Sequence, residues 1–218
     1  MRGRASAAEL IRLFVACELM ASRLYVLTGF VKRADAAPEA ALKFCRVGTA
    51  SAAVIVYGMS FIFGVTGSTE LAAIPGALAT SDSMMLLGMT LLLAGLGFKI
   101  AAFPFHMWAP DAYEAASAPF VAWLAVAPKA AGFAVLLRVF VERAGPLAAF
   151  WAEAAALLGA LTIVAGNLMA IPQTDAKRLL AYSGIAHIGY MLLGVAALGS
   201  PPRLPSVVPS PPHAEPLG

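Results

Sequence analysis

Six stretches of roughly twenty apolar residues dominate this sequence, and that length spans a bilayer core as an α-helix. They fall at about 9–31, 44–65, 83–103, 120–141, 148–171 and 179–199. Each runs apolar without the strict alternation of a barrel strand, so only helices fit. Composition agrees: 61% of residues are hydrophobic, 12% are charged and the mean hydropathy is +0.82. A soluble domain has about 25% charged residues and could not cover its surface with so few. The expected fold is all-α, a polytopic transmembrane bundle of about six helices. Abundant Ala and Gly inside the segments predict close helix packing.

Other classes are excluded by what is missing. A net charge of +3 with no basic stripe argues against a nucleic-acid partner. Cys17 and Cys45 sit in apolar stretches without CxxC spacing, which reads as buried thiols and not as a disulfide or metal site. There is no dinucleotide fingerprint, cysteine cluster or paired-histidine pattern, so no cofactor, metal or redox centre is expected in this chain. The N-terminus "MRGRASAAELIRLF" lacks a signal-peptide core. Seven of the last eighteen residues are Pro, so 200–218 reads as a disordered tail after a membrane region spanning 1–199, with the character of out-of-frame translation. Lys32, Arg33, Lys43, Lys177 and Arg178 fall on one side of the membrane by parity, and Arg2, Arg4, Arg143 and Arg203 on the other. The positive-inside rule thus narrowly favours the first side as cytoplasmic.

Ionisable groups inside the apolar segments carry the functional information, because each needs a partner or a wet cavity. Glu18 is central in the first segment, Lys99 lies near the end of the third, Lys129 is mid-fourth and His187 is central in the sixth. Lys99 stands four residues from a loop, where a lysine also snorkels to the interface, and position alone leaves both readings open. For Lys129, with nine residues of helix on its N-terminal side, snorkelling is harder. Glu18 has Arg23 or a lysine as structural partners, and a histidine such as His187 is commonly a packing residue. Pro104 and Pro128 are expected helix breaks beside the two lysines. A proline frees a carbonyl one turn back, which is tolerated at depth where it lines protein or water. A lysine there takes and releases a proton more readily, so the Pro–Lys pairs read as proton sites. The 104–119 loop is expected to be compact. Its His106, Trp108, Asp111 and Tyr113 suit a neighbouring domain or lipid headgroups.

Longer motifs add a resemblance. "GFKIAAFPFHMWAPDAYEAASAP", "FVAWLAVAPKAAGFAVLLRVF" and "QTDAKRLLAYSGIAHIGYMLLG" resemble the antiporter-like membrane subunits of respiratory complex I, the bacterial type I NADH–quinone oxidoreductase. "ELMASRLYVLTGF" is similar to an earlier helix of that family, and "PEAALKF" and "GSTEL" lean toward its subunit N branch. The resemblance covers about 8–199. It implies proton translocation coupled to quinone reduction elsewhere in the complex, in a multi-pass protein of the bacterial inner membrane. It implies an acid–lysine pair at Glu18 and Lys99, a central-axis lysine at Lys129, and supporting positions at Lys177 and His187. The implied partners are the other membrane subunits, the lipid bilayer and protons, with NADH and quinone reached only through the whole complex. Loops 32–43, 104–119 and 172–178 would be cytoplasmic.

Departures from the family pattern bear on function. Family members carry about fourteen helices in two inverted repeats, and this sequence matches most of one repeat and the opening of the next. It is therefore expected to be a fragment, inactive alone. "SRLY" stands where an apolar–Pro pair is usual, and Arg46 where an apolar residue is usual. Two other readings stay open: a subunit of a multisubunit cation/proton antiporter or membrane-bound hydrogenase, and a non-functional truncated product.

Overall fold

The computed structural model describes residues 9–30, 36–78 and 83–199. Lys32, Arg33, Arg2, Arg4, Arg203 and the Pro-rich 200–218 segment lie outside the described residues. Among the described residues, eight α-helices follow in order: α1 Leu10–Thr28, α2 Ala36–Thr66, α3 Ile74–Leu78, α4 Ser83–Ile100, α5 Trp108–Ala115, α6 Ala118–Leu136, α7 Ala148–Ala170 and α8 Ala176–Gly199. A π-helical turn, Leu137–Val141, extends α6.

Among the described residues, five helical spans are long and apolar enough to cross a membrane: Ala37–Thr66, Ser83–Ile100, Ala118–Val141, Gly145–Ala170 and Ala176–Gly199. The sixth expected span is α1, a helix of 19 residues whose apolar run is interrupted by Arg12, Glu18 and Arg23. It nevertheless packs in the bundle through Leu10, Cys17, Ala21 and Leu24. The second span begins earlier than its apolar core implied. Pro38 and Glu39 suit the first turn, where no backbone donor is needed and an acid meets the positive end of the helix dipole.

The helix α4 is the spine. It is apolar all round, which is the pattern of a helix surrounded by protein, and Met85, Met89, Leu92, Leu96 and Phe98 are all buried. It packs against α2 and α6, with α1 resting on α2 and α6. The second group is the hairpin of α7 and α8, joined to the first through α5. Paired glycines bring backbones together in both groups. A side-chain carbon at Gly58 of α2 would lie 2.8 Å from the Gly88 carbonyl of α4, and one at Gly189 of α8 would lie 2.7 Å from the Gly159 carbonyl of α7. Ser51 adds a cross-helix bond, its hydroxyl donating to the Gly95 carbonyl at 2.9 Å. On the far side of α7, Leu157, Leu161, Val164 and Leu168 form an exposed stripe with helical spacing, as a lipid-facing surface does.

Candidate functional site

The last turn of α4 carries Lys99, where a cation is favoured by the negative end of the helix dipole. Its Nζ donates to Glu18 Oε1 of α1 at 2.7 Å. The Lys99 side chain is 6% exposed and that of Glu18 25%. Lys99 is therefore turned inward and does not snorkel. Arg23, the alternative partner for Glu18, is exposed.

The helix then stops. The amides of Ala101 and Ala102 donate back to the carbonyls of Phe98 and Gly97, and Ala101 takes a φ of +62°. This is the left-handed helix stop that usually employs glycine. Pro104 follows in the turn 101–107, so the expected break near it is present. Thr162 of α7 supports the turn by accepting from the Phe103 amide at 3.0 Å. His106 is buried, its Nε2 3.3 Å from Met169 Sδ and its ring 5.4 Å from that of Phe103. Burial holds its pKa below the ordinary histidine value.

The 104–119 segment is compact, and it contains a helix. The α5 helix buries Trp108, Ala109, Ala112 and Tyr113. Trp108 stacks on Phe44 of α2 at 4.2 Å and donates from Nε1 to the Phe98 carbonyl. His106, Trp108 and Tyr113 thus face the protein interior and not headgroups, because each flat ring finds a larger apolar contact there than an interface offers. Asp111 alone of the four faces outward, where it accepts from Lys43 of α2 at 3.3 Å and from Arg178 of α8 at 3.0 Å. Arg178 also donates to Glu114 at 2.7 Å. These residues line a polar cleft of about 220 Å³ with Glu39. Three segments expected on one side of the membrane therefore meet at one end of the bundle.

Lys129 of α6 is buried at 5% exposure. Its Nζ lies 5.5 Å from the centroid of the Tyr113 ring, and a side-chain carbon at Gly184 of α8 would sit 3.2 Å from it. No carboxylate is within ion-pair distance of it among the described residues. One turn along α6, the absent side chain of Gly132 admits Ile100 and Lys99: a carbon there would be 3.8 Å from Lys99 Cβ. Lys99 consequently adjoins the seam between α4 and α6 one turn from Lys129 on α6.

Pro128 does not break its helix. The α6 helix runs unbroken from Ala118 to Leu136 through the buried proline. The proline removes one backbone bond, and the turns on either side keep theirs. The irregularity comes later, as the π turn at Leu137–Val141.

Lys177 and His187 are not brought to this seam. Lys177 Nζ donates to the Glu114 and Ala116 carbonyls at 3.1 and 2.9 Å, closing the C-terminus of α5. His187 is exposed on α8 with Nδ1 donating to the Ser183 carbonyl at 2.7 Å. Sequence reasoning missed Tyr113 and Gly184 as neighbours of Lys129. The available signal for Tyr113 was its place on a short amphipathic stretch, with Asp111 and Glu114 on the opposite side. Nothing local marks Gly184.

Comparison with known proteins follows the same outline. A family model described as "NADH:quinone oxidoreductase/Mrp antiporter, TM" matches residues 7–201. The chain is 48% identical over 199 residues to NADH-quinone oxidoreductase subunit N 2 of Solibacter usitatus, covering 88% of this chain and 40% of that protein. It is similar to a chain of respiratory complex I from Thermus thermophilus, with 44% identity, a TM-score of 0.75, and coverage of 88% of this chain and 42% of that one. It is also similar to a chain of the Mrp complex from a Dietzia species, with 25% identity, a TM-score of 0.79, and coverage of 87% and 36%. The chain thus spans about two fifths of the length of these relatives. The match across nearly all of its helices, on a fold with a broken α4–α5 element and five apolar spans, shows that this membrane protein belongs to the NADH:quinone oxidoreductase/Mrp antiporter transmembrane family.

Proposed function

We propose that this chain is part of a complex I membrane subunit of the subunit N type and takes part in proton translocation coupled to NADH:quinone oxidoreduction. The observation that carries the reading is the Glu18–Lys99 pair at 2.7 Å, its lysine buried and its acid partly so, set at the helix stop and packed on α6 at Gly132, one turn from the buried Lys129. Two charges of opposite sign can exist in paired and unpaired arrangements whose populations a proton shifts. Glu18, Lys99 and Lys129 are the proton-handling residues. Lys177 and His187 play no direct part, one serving as a helix cap and the other lying outside the seam.

The subunit N reading over an antiporter reading is supported by the 48% identity to a protein of that name, against 25% to the Mrp chain. The partners would be the other membrane subunits and the lipid of a bacterial plasma membrane. NADH and quinone would act only through the whole complex.

The test uses the full-length subunit in its assembled complex, in sealed membrane vesicles. Lys99→Ala, Glu18→Ala and Lys129→Ala should each lower protons moved per NADH oxidised more than they lower assembly. Lys99→Arg should retain charge and still fail, since arginine does not release its proton. Normal pumping by all three alanine variants would make these residues structural and overturn the proposal.

A further inference from the structure

We infer that Tyr113 is a positioning residue for the Lys129 ammonium: the face of its ring holds the cation at a place where no carboxylate does. The inference rests on the proposed role of Lys129. A ring face within about 6 Å of an ammonium attracts it, and more strongly when both are desolvated. Here the separation is 5.5 Å and the ring is only 2% exposed. The Tyr113 hydroxyl is buried and has no hydrogen-bond partner among the described residues, so none of them fixes the side chain by a hydrogen bond. Gly184 leaves the Nζ room on the α8 side.

The ring is also held still. Asp111 and Glu114, flanking Tyr113 on α5, are tied to α2 and α8 by Lys43 and Arg178. Lys177 closes the end of the same helix. Three titratable groups on elements around Lys129 hold partners other than it. Lys99 of α4 and Glu18 of α1 hold one another, and His187 of α8 is exposed and bonded to its own helix. Tyr182 of α8 lies by His106. A cation formed on Lys129 therefore meets an aromatic face where no carboxylate lies within ion-pair distance among the described residues. That contact strengthens when the lysine takes a proton and vanishes when it gives one up.

The experiment replaces residue 113 in the full-length subunit of the assembled complex and reads protons moved per NADH oxidised. Tyr113→Phe keeps the ring face and should retain most of the pumping. Trifluorophenylalanine at 113 keeps the shape but drains the ring face of charge, and pumping should fall about threefold; Tyr113→Leu should lose about fivefold or more. Assembly is measured in each. If the leucine variant fails to assemble, the trifluorophenylalanine variant decides, since its shape is nearly that of phenylalanine. Equal pumping by the phenylalanine and trifluorophenylalanine variants, with Lys129→Ala defective, would overturn the role of the ring and leave that of Lys129 intact. Normal pumping by Lys129→Ala would overturn the function proposed for Lys129 itself.

Discussion

Lys99 and Glu18 are 81 residues apart in sequence and meet at 2.7 Å, one at the end of α4 and the other in the middle of α1. An ion pair removed from water stands on its geometry, because desolvating each charge opposes the attraction between them. Removing one partner leaves the other charge buried alone, which is the costly case.

The first prediction concerns that asymmetry. Glu18→Gln or Lys99→Met alone should each lower the stability of the assembled subunit in detergent by about 2–3 kcal/mol, below the figure for a fully buried pair since Glu18 is partly exposed. The double variant should recover at least half of the loss. A thermal denaturation cycle of the four proteins measures this. Strict additivity of the two losses would show that the pair is not coupled.

A second prediction separates glycines by what surrounds them. A methyl group at Gly189 would meet the Gly159 carbonyl and the Ile163 amide at 2.7 and 2.8 Å, both backbone and unable to move aside. Gly189→Ala should separate α7 from α8 and cost about 1–3 kcal/mol. Gly64 of α2 has nothing within 4 Å of the same position. Gly64→Ala should leave stability unchanged or raise it by up to about 1 kcal/mol, by helix propensity. Thermal stability of the two variants side by side gives the answer, and equal losses would contradict the close packing of α7 on α8.

The third prediction is a pH dependence at the turn after α4. Burial lowers the pKa of His106 in the folded protein, so the unfolded chain binds the proton more readily. Stability contributed by the neutral ring is complete above about pH 6.5, the unfolded value, and is lost as pH falls from there through the folded value. Acidification should therefore loosen the 101–107 turn, read as a lower hydrogen-exchange protection factor (the rate relative to the intrinsic rate at the same pH) at Phe103, whose amide is bonded to Thr162. In His106→Gln the exchange at Phe103 should lose this acid dependence. An unchanged acid response in that variant would assign it to another group.

The sequence by itself determined the helices and their membrane character. Apolar length is a local property, and every one of the five spans was legible in it. The stop after Lys99 was legible too, because Pro104 and the change of composition mark it. So were the four candidate ionisable groups Glu18, Lys99, Lys129 and His187, since such a group within an apolar run stands out without any knowledge of its neighbours; the resemblance narrowed them to the first three. Which way each residue faces was not legible. The helices α4, α6 and α7 are apolar all round, so no stripe declares their rotation. Rotation is set by close crossings such as Gly58 with Gly88 and Gly159 with Gly189, which exist only once two helices meet. The tertiary structure thus decided that Glu18 takes Lys99 and not Arg23, that Tyr113 turns inward over Lys129, and that Lys177 closes α5. It also decided that α6 runs through Pro128, because the turns flanking that residue keep their own hydrogen bonds while its neighbours hold it buried.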